Sequence, residues 1–313
     1  MYIYNSLYSR ISWVIACGIQ DMSLLYSVLC GALLQSPPLS RRHAVLAAAS
    51  SLAAARPLPL PAAGPPDRRG EEELVYTPLA DEQGNLVVDP SRDVGAYATI
   101  SAALEAAPSG ATVIVRPGVY TERVMVRQSV TLKADPGVFL VWESDKPYEA
   151  TLTIDLRDAS AAADVLVSGL MVTHYSPSIA QNYAVYVPPP SRAADASKVE
   201  LRFCDVCSRS GTGVGVEGGF VAVVGCRVHD CKNHGLAFLG PGARGVVQRC
   251  SVEACKLDGV LVRDGAAPML EANRFNANQR FGAELVDARC DFRASNEAKG
   301  NGKGAIQGEC DVD

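Results

Sequence analysis

Between Lys198 and Gly304 one short pattern is written several times over, and it leaves the chain few ways to fold. Aligned on its glycines it reads CDVCSRSGTGVGV from Cys204, CRVHDCKNHGLAF from Cys226, CSVEACKLDGVLV from Cys250 and NRFNANQRFGAEL from Asn273. Each copy has a Cys or Asn, an apolar residue two on, and a glycine nine on: Gly213, Gly235, Gly259 and Gly282. A fainter copy ends at Gly304, so the intervals are 22, 24, 23 and 22 residues. Self-similarity at such a period marks a solenoid.

The period inside each copy says which kind. Leu201, Val223, Val247 and Leu270 precede the Cys/Asn by three residues, and Val206, Val228, Val252 and Phe275 follow it by two. After the glycine, Val214, Leu236, Val260 and Ala283, then Val216, Phe238, Val262 and Leu285, alternate with small or polar residues. Alternation by two is a strand signal, so each copy is two or three short strands. Parallel strands stacked about 4.8 Å apart would put these residues in aliphatic columns inside a coil. The repeat glycines are assigned to sharp turns, where only glycine takes positive φ without cost.

Upstream, DVGAYATISAALEAAPSGATVIVRPGVYTERVMV starts at Asp93. Ile100, Ala103, Leu104 and Ala107 share one helical face, and Pro108, Ser109 and Gly110 stop the helix. Such a helix would cap the first coil, which a solenoid needs for solubility. This opening resembles that of right-handed parallel β-helix proteins of the pectin-lyase-like superfamily. DGAAPMLEANRFNANQRFGAEL, from Asp264, is similar to the repeats of carbohydrate-binding and sugar-hydrolase β-helices and of F-box proteins that carry them. The resemblance spans residues 93–313. It implies an all-β, single-stranded right-handed parallel β-helix of about seven coils with an N-terminal capping helix, and it implies no activity by itself. The third coil is swollen by two insertions, THYSPSIAQNY and PPPSRAADAS, expected to form a lip on one side.

Residues 1–65 read as a targeting leader, with Arg10, Arg41, Arg42 and Arg56, no Lys and one acid, Asp21. Arg41 and Arg42 stand directly before an apolar run from Ala44 to Ala55, as in a twin-arginine signal. A transit peptide followed by such a signal directs a protein to the chloroplast thylakoid lumen; the alternatives are secretion and, less well matched, mitochondrial import. Neither apolar run reaches the roughly 20 residues of a spanning helix. Residues 66–92 read as a solvated linker. Outside the leader, 25 basic residues face 33 acidic ones. With no basic patch interleaved with aromatics, nucleic acid is not the expected partner.

Two constellations are candidates for chemistry. The residues before the glycines place His234 beside Asp258 on the neighbouring coil, and with Asp230 and Arg263 they are the candidate acid/base set for a sugar substrate. The alternative is an exposed ion pair of little energetic weight. Near the swollen coil, Trp142, Tyr175, Tyr183 and Tyr186 are the candidate ligand-binding aromatics. Cys204, Cys207, Cys226 and His229 have zinc-like spacing, but the strand alternation puts Cys204 and Cys226 inside and Cys207 and His229 outside, so no metal or other cofactor is expected. Eight cysteines follow the leader, most of them read as buried thiols, with Asn273 and Asn278 continuing the Cys columns. The catalytic sets of polygalacturonases, pectin methylesterases and pectate lyases are not found. The leading expectation is therefore a non-catalytic recognition or scaffold module for a glycan or protein. A carbohydrate-active lyase, hydrolase or epimerase is the alternative, and pairing of the open C-terminal edge with another chain is a third.

Overall fold

The computed structural model describes residues 80–310, apart from 82, 92–94 and 179–180. The leader and the first part of the linker, residues 66–79, lie outside the described residues. The chain opens with β1 (Leu86–Val88) and α1 (Ile100–Ala106), then winds through repeated sets of three strands. The first coil is β2 (Ala111–Val115), β3 (Gly118–Tyr120) and β4 (Val124–Val126); the second is β5 (Val130–Ala134), β6 (Val138–Glu143) and β7 (Leu152–Ile154). The third is β8 (Asp164–Ser168), β9 (Met171–Tyr175) and β10 (Tyr183–Val187), and the fourth β11 (Lys198–Arg202), β12 (Asp205–Ser208) and β13 (Thr212–Val216). Then come β14 (Gly219–Val224), β15 (Arg227–His229) and β16 (Leu236–Leu239), followed by β17 (Ala243–Gln248), β18 (Ser251–Glu253) and β19 (Val260–Arg263). The seventh coil is β20 (Ala267–Glu271), β21 (Arg274–Asn276) and β22 (Phe281–Val286), and β23 (Asp291–Phe292) with β24 (Gly304–Gln307) makes a partial eighth.

Successive coils pair in parallel, forming sheets of nine, seven and eight strands, here sheets A, B and C in the order each coil visits them. The register is the one the repeat demands. Leu201, Val223, Val247 and Leu270 align in sheet A, and Val206, Val228, Val252 and Phe275 in sheet B. Val214, Leu236, Val260 and Ala283 align in sheet C, and all twelve side chains are buried. At the last copy the sequence alignment slips by one, because Phe281 pairs with Gly304. Gly304 therefore continues the column of His234 and Asp258, and the repeat-glycine position passes to Ala305.

The role assigned to the repeat glycines is corrected. Gly213, Gly235, Gly259 and Gly282 do not take positive φ. Their requirement is space: a Cβ on Gly235 would lie 2.1 Å from Val252 Cγ1 and 2.7 Å from the Gly259 carbonyl oxygen. The left-handed corners fall to other residues. Phe203, Arg249 and Ala272 turn the chain from sheet A to sheet B at φ 51°, 54° and 54°, and Asp230, Ala254 and Ala277 turn it towards sheet C at 51°, 58° and 54°.

At the first coil, α1 presents buried Ile100, Ala103 and Leu104, with the Thr99 side chain accepting from the Ala102 N–H. The expected linker ends sooner than residue 92: β1 pairs with β2, and Leu86 and Val88 are buried. Its three residues are too few to show a strand period, but they extend sheet A by backbone pairing. At the other end Cys290 and Cys310 form a disulfide, while Cys204, Cys207, Cys226, Cys231, Cys250 and Cys255 are buried free thiols. Asn273 and Asn278 continue the cysteine columns by accepting the N–H groups of Cys250 at 2.9 Å and Cys255 at 3.1 Å.

Candidate functional site

The two insertions of the third coil flank β10, the described residues 176–178 and 181–182 preceding it and 188–197 following it. The second packs on Gly218 of the next coil, where a Cβ would stand 2.7 Å from Pro189 Cα. The first is tied down from inside by Asn182. Its Nδ2 donates to the carbonyls of Ser176 (3.1 Å), Ser178 (2.7 Å) and Ser210 (3.3 Å). Its Oδ1 accepts from Ser210 Oγ at 3.0 Å and faces His174 Nε2 at 3.1 Å. His174 is fully buried, and burial lowers its pKa to about 4, so the ring is neutral. In the tautomer that fits, Nε2–H donates to Asn182, and the Thr151 hydroxyl shares its one hydrogen between Nδ1 and the Thr173 carbonyl, each 3.1 Å away. Sequence reasoning missed this hub, because His174 and Asn182 lie in the one coil whose spacing breaks the repeat.

On the outer face of β10, Tyr183 and Tyr186 stack with ring centroids 5.2 Å apart. Both hydroxyls donate to Glu217 of the next coil, at 3.0 and 2.7 Å, and Gln181 Nε2 donates to the same carboxylate at 3.1 Å. The Tyr183 ring fills the space over Gly215, where a Cβ would be 2.3 Å from Cδ1. Burial, then the Glu217 charge, raises the Tyr183 phenol well above its usual range. The hydroxyls are therefore neutral donors, held by a carboxylate.

The other two candidate aromatics do not join this pair. Tyr175 is 41% exposed and lies under the Arg209 guanidinium, 5.5 Å from the ring centroid, while Arg209 also pairs with Glu143. Trp142 is half-buried on β6, with Nε1 3.4 Å from Glu149 Oε2.

His234 and Asp258 do stand together, on adjacent coils at the start of sheet C. His234 Nδ1 is 3.1 Å from Asp258 Oδ2, off the line of a well-aligned hydrogen bond. Asp258 is fully buried, so the pair is not the exposed one that strand alternation alone suggests. Burial pushes its carboxyl pKa up, but the His234 contact, the Phe281 N–H at 2.9 Å and the Arg280 charge outweigh that and leave it lowered. Arg280 reaches Asp258 Oδ2 at 3.4 Å and Glu284 at 2.6 Å. Nδ1 faces the carboxylate, which leaves Nε2 as the nitrogen open to a ligand.

Asp230 and Arg263 are not part of that cluster. Asp230 sits at a left-handed corner that turns its carboxylate back onto His229 Nδ1, at 2.7 Å. Arg263 ends β19, five residues beyond Asp258, and pairs with Asp264 at 2.8 Å. On sheet B, His229 also faces Asp205 at 2.8 Å, and Arg227 bridges Glu253 at 2.8 Å and Asp205 at 3.6 Å. Cys207 and His229 do lie opposite Val206 and Val228 on their strands, yet both are buried there.

Residues 178–310 match the family model described as "Right handed beta helix region". Among solved structures, the pectin methylesterase from Aspergillus niger in deglycosylated form is similar at 15% identity and TM-score 0.42, covering 69% of this chain and 89% of that one. Pectin methylesterase PemA from Erwinia chrysanthemi is similar at 17% identity and TM-score 0.37, covering 67% of each chain. Both scores lie below 0.5, so neither protein's activity bears on this chain. No curated protein matches the sequence. With three parallel ladders climbing coil by coil and the repeat region matched by that model, the chain folds as a right-handed parallel β-helix.

Proposed function

We propose that the protein is a non-catalytic recognition module that binds a glycan across the outer face of sheet C at the swollen third coil. The observation that supports this most directly is the Asn182 hub. Five polar contacts hold Asn182 beside the Tyr183–Tyr186 pair, and fixing a site residue beforehand lowers the ordering cost of binding. Gln181, Tyr186 and Glu217 supply donors and acceptors, and the stacked rings an apolar edge, which suits a hydroxyl-rich ligand. The test is retention of the full chain on a panel of neutral and acidic polysaccharides, with released sugars measured in the same samples. Retention without products, weakened about tenfold in Tyr186→Ala and Gln181→Ala, supports the reading. Unchanged retention in both variants removes the site. No retention at all points to a protein partner.

A second reading, a carbohydrate-active enzyme, is favoured by the His234–Asp258–Arg280 cluster. A buried carboxylate facing Nδ1 and an open Nε2 make an arrangement suited to general base catalysis. Product release that disappears in His234→Ala would establish it in place of the first.

The Cys290–Cys310 disulfide is what an oxidising compartment permits, and it supports export to the thylakoid lumen or out of the cell.

A further inference from the structure

Away from both clusters, a cleft of about 320 Å³ opens between the capping helix α1 and the edge strand β4. That is large enough for a small ligand. Its apolar wall is Leu104, Met125 and Val130, and its charged groups are Arg123, Arg127 and Glu105.

The two arginines are poorly supplied with acceptors. Arg123 Nε is buried with no hydrogen-bond partner. Its Nη1 reaches Glu149 only at 3.7 Å, and the Glu149 carboxylate already accepts from Ser144 Oγ and lies 3.4 Å from Trp142 Nε1. Arg127 is exposed and touches the Met125 sulfur at 3.4 Å, with no carboxylate in ion-pair reach among the described residues. Glu122, the acid nearest in sequence, is used up on the first turn of α1, accepting from the N–H of Ile100 at 2.7 Å and of Ser101 at 2.9 Å. Gln128 is engaged with the Ala107 carbonyl at 2.6 Å, which braces the helix against the coil.

An oxyanion that presents two acceptor oxygens side by side, a carboxylate or a phosphate, is the partner whose geometry suits guanidinium donors. The geometry points to this cleft as a binding site for a small molecule carrying a carboxylate or phosphate on a partly apolar body. The oxyanion meets Arg123 and Arg127, and the body lies against Leu104 and Met125. Glu105 is the one acid on the lining, so the lining retains a net positive charge.

The test titrates the full chain with inorganic phosphate, acetate and benzoate at constant ionic strength, chloride replacing each anion in the control, and follows thermal unfolding and binding heat. Saturable binding is expected, weakened at least tenfold in Arg127→Gln and in Arg123→Gln. Arg127 is exposed, so its variant keeps the test valid if Arg123→Gln fails to fold. Binding of phosphate alone assigns a phosphorylated ligand. Binding of both carboxylates, benzoate tighter than acetate, assigns a carboxylic acid with an apolar body. No saturable binding of any of the three, or unchanged affinity in the two variants, overturns the site.

Discussion

His229 on β15 is held between two carboxylates, with Nε2 2.8 Å from Asp205 Oδ1 on the preceding coil and Nδ1 2.7 Å from Asp230 Oδ2. Burial alone would favour the neutral ring, but the hydrogen bonds to both aspartates outweigh it and raise the pKa from 6.5 to about 9. The stabilisation from this ion cluster is fully present below the unfolded value and is lost as pH rises through about 9. It amounts to on the order of 3 kcal/mol. Denaturant midpoints of the wild type should fall between pH 7 and pH 10 by more than those of His229→Gln, which cannot titrate. Equal falls in the two proteins would show that the imidazolium contributes nothing.

Gly235 tests what the repeat glycine is for. A Cβ there would meet the Val252 side chain at 2.1 Å and the Gly259 carbonyl at 2.7 Å, and backbone cannot yield cheaply. Gly235→Ala should destabilise by about 3 kcal/mol through overpacking. Gly242→Ala is the control, because its nearest neighbour is 3.8 Å away and the site is exposed. A loss in Gly235→Ala no larger than in the control would show that the coil accommodates a Cβ at this position.

The columns of the core were legible because stacking in register makes equivalent residues alike: Leu201, Val223, Val247 and Leu270 repeat in the chain because they touch in the coil. The same logic placed His234 next to Asp258. It failed where contacts depend on corner geometry. Asp230 is four residues from His234, yet a left-handed φ of 51° sends its carboxylate to His229 instead. Arg263 shares a strand with the residues that follow Asp258 but stands at the far end of it. Burial of Asp258 was equally hidden, since alternation shows which side of a strand a residue occupies and not that Arg280 reaches over it. The Asn182 hub had no signal at all, because only one coil carries it.

The corners make a further prediction. Ala254 sits at φ 58° and is exposed. A left-handed conformation costs an L-residue roughly 1–2 kcal/mol. Glycine removes that strain at an unfolded-state entropy cost of roughly 0.4–1 kcal/mol. Ala254→Gly should therefore stabilise the domain by about 0.5–1 kcal/mol, the reverse of the usual sign, as read from denaturant midpoints. Destabilisation would mean that the Ala254 methyl makes a packing contribution larger than the strain.

Asn278 occupies in the seventh coil the position that Cys255 and Cys231 hold in the two before it. It accepts from the Cys255 N–H at 3.1 Å, donates to the Val252 carbonyl at 3.2 Å, and is 1% exposed. Asn278→Ala leaves the Cys255 N–H without a partner inside the coil, at roughly 1–3 kcal/mol. Asn278→Cys instead restores the residue of the earlier coils, where a thiol in the same place bonds weakly, as Cys255 Sγ does to the Glu253 carbonyl at 3.6 Å. The Cys variant should therefore be more stable than the Ala variant by about 1–2 kcal/mol. If the two lose equally, the column selects for volume alone. A Cys variant as stable as wild type would mean that the thiol satisfies the ladder as well as the amide does.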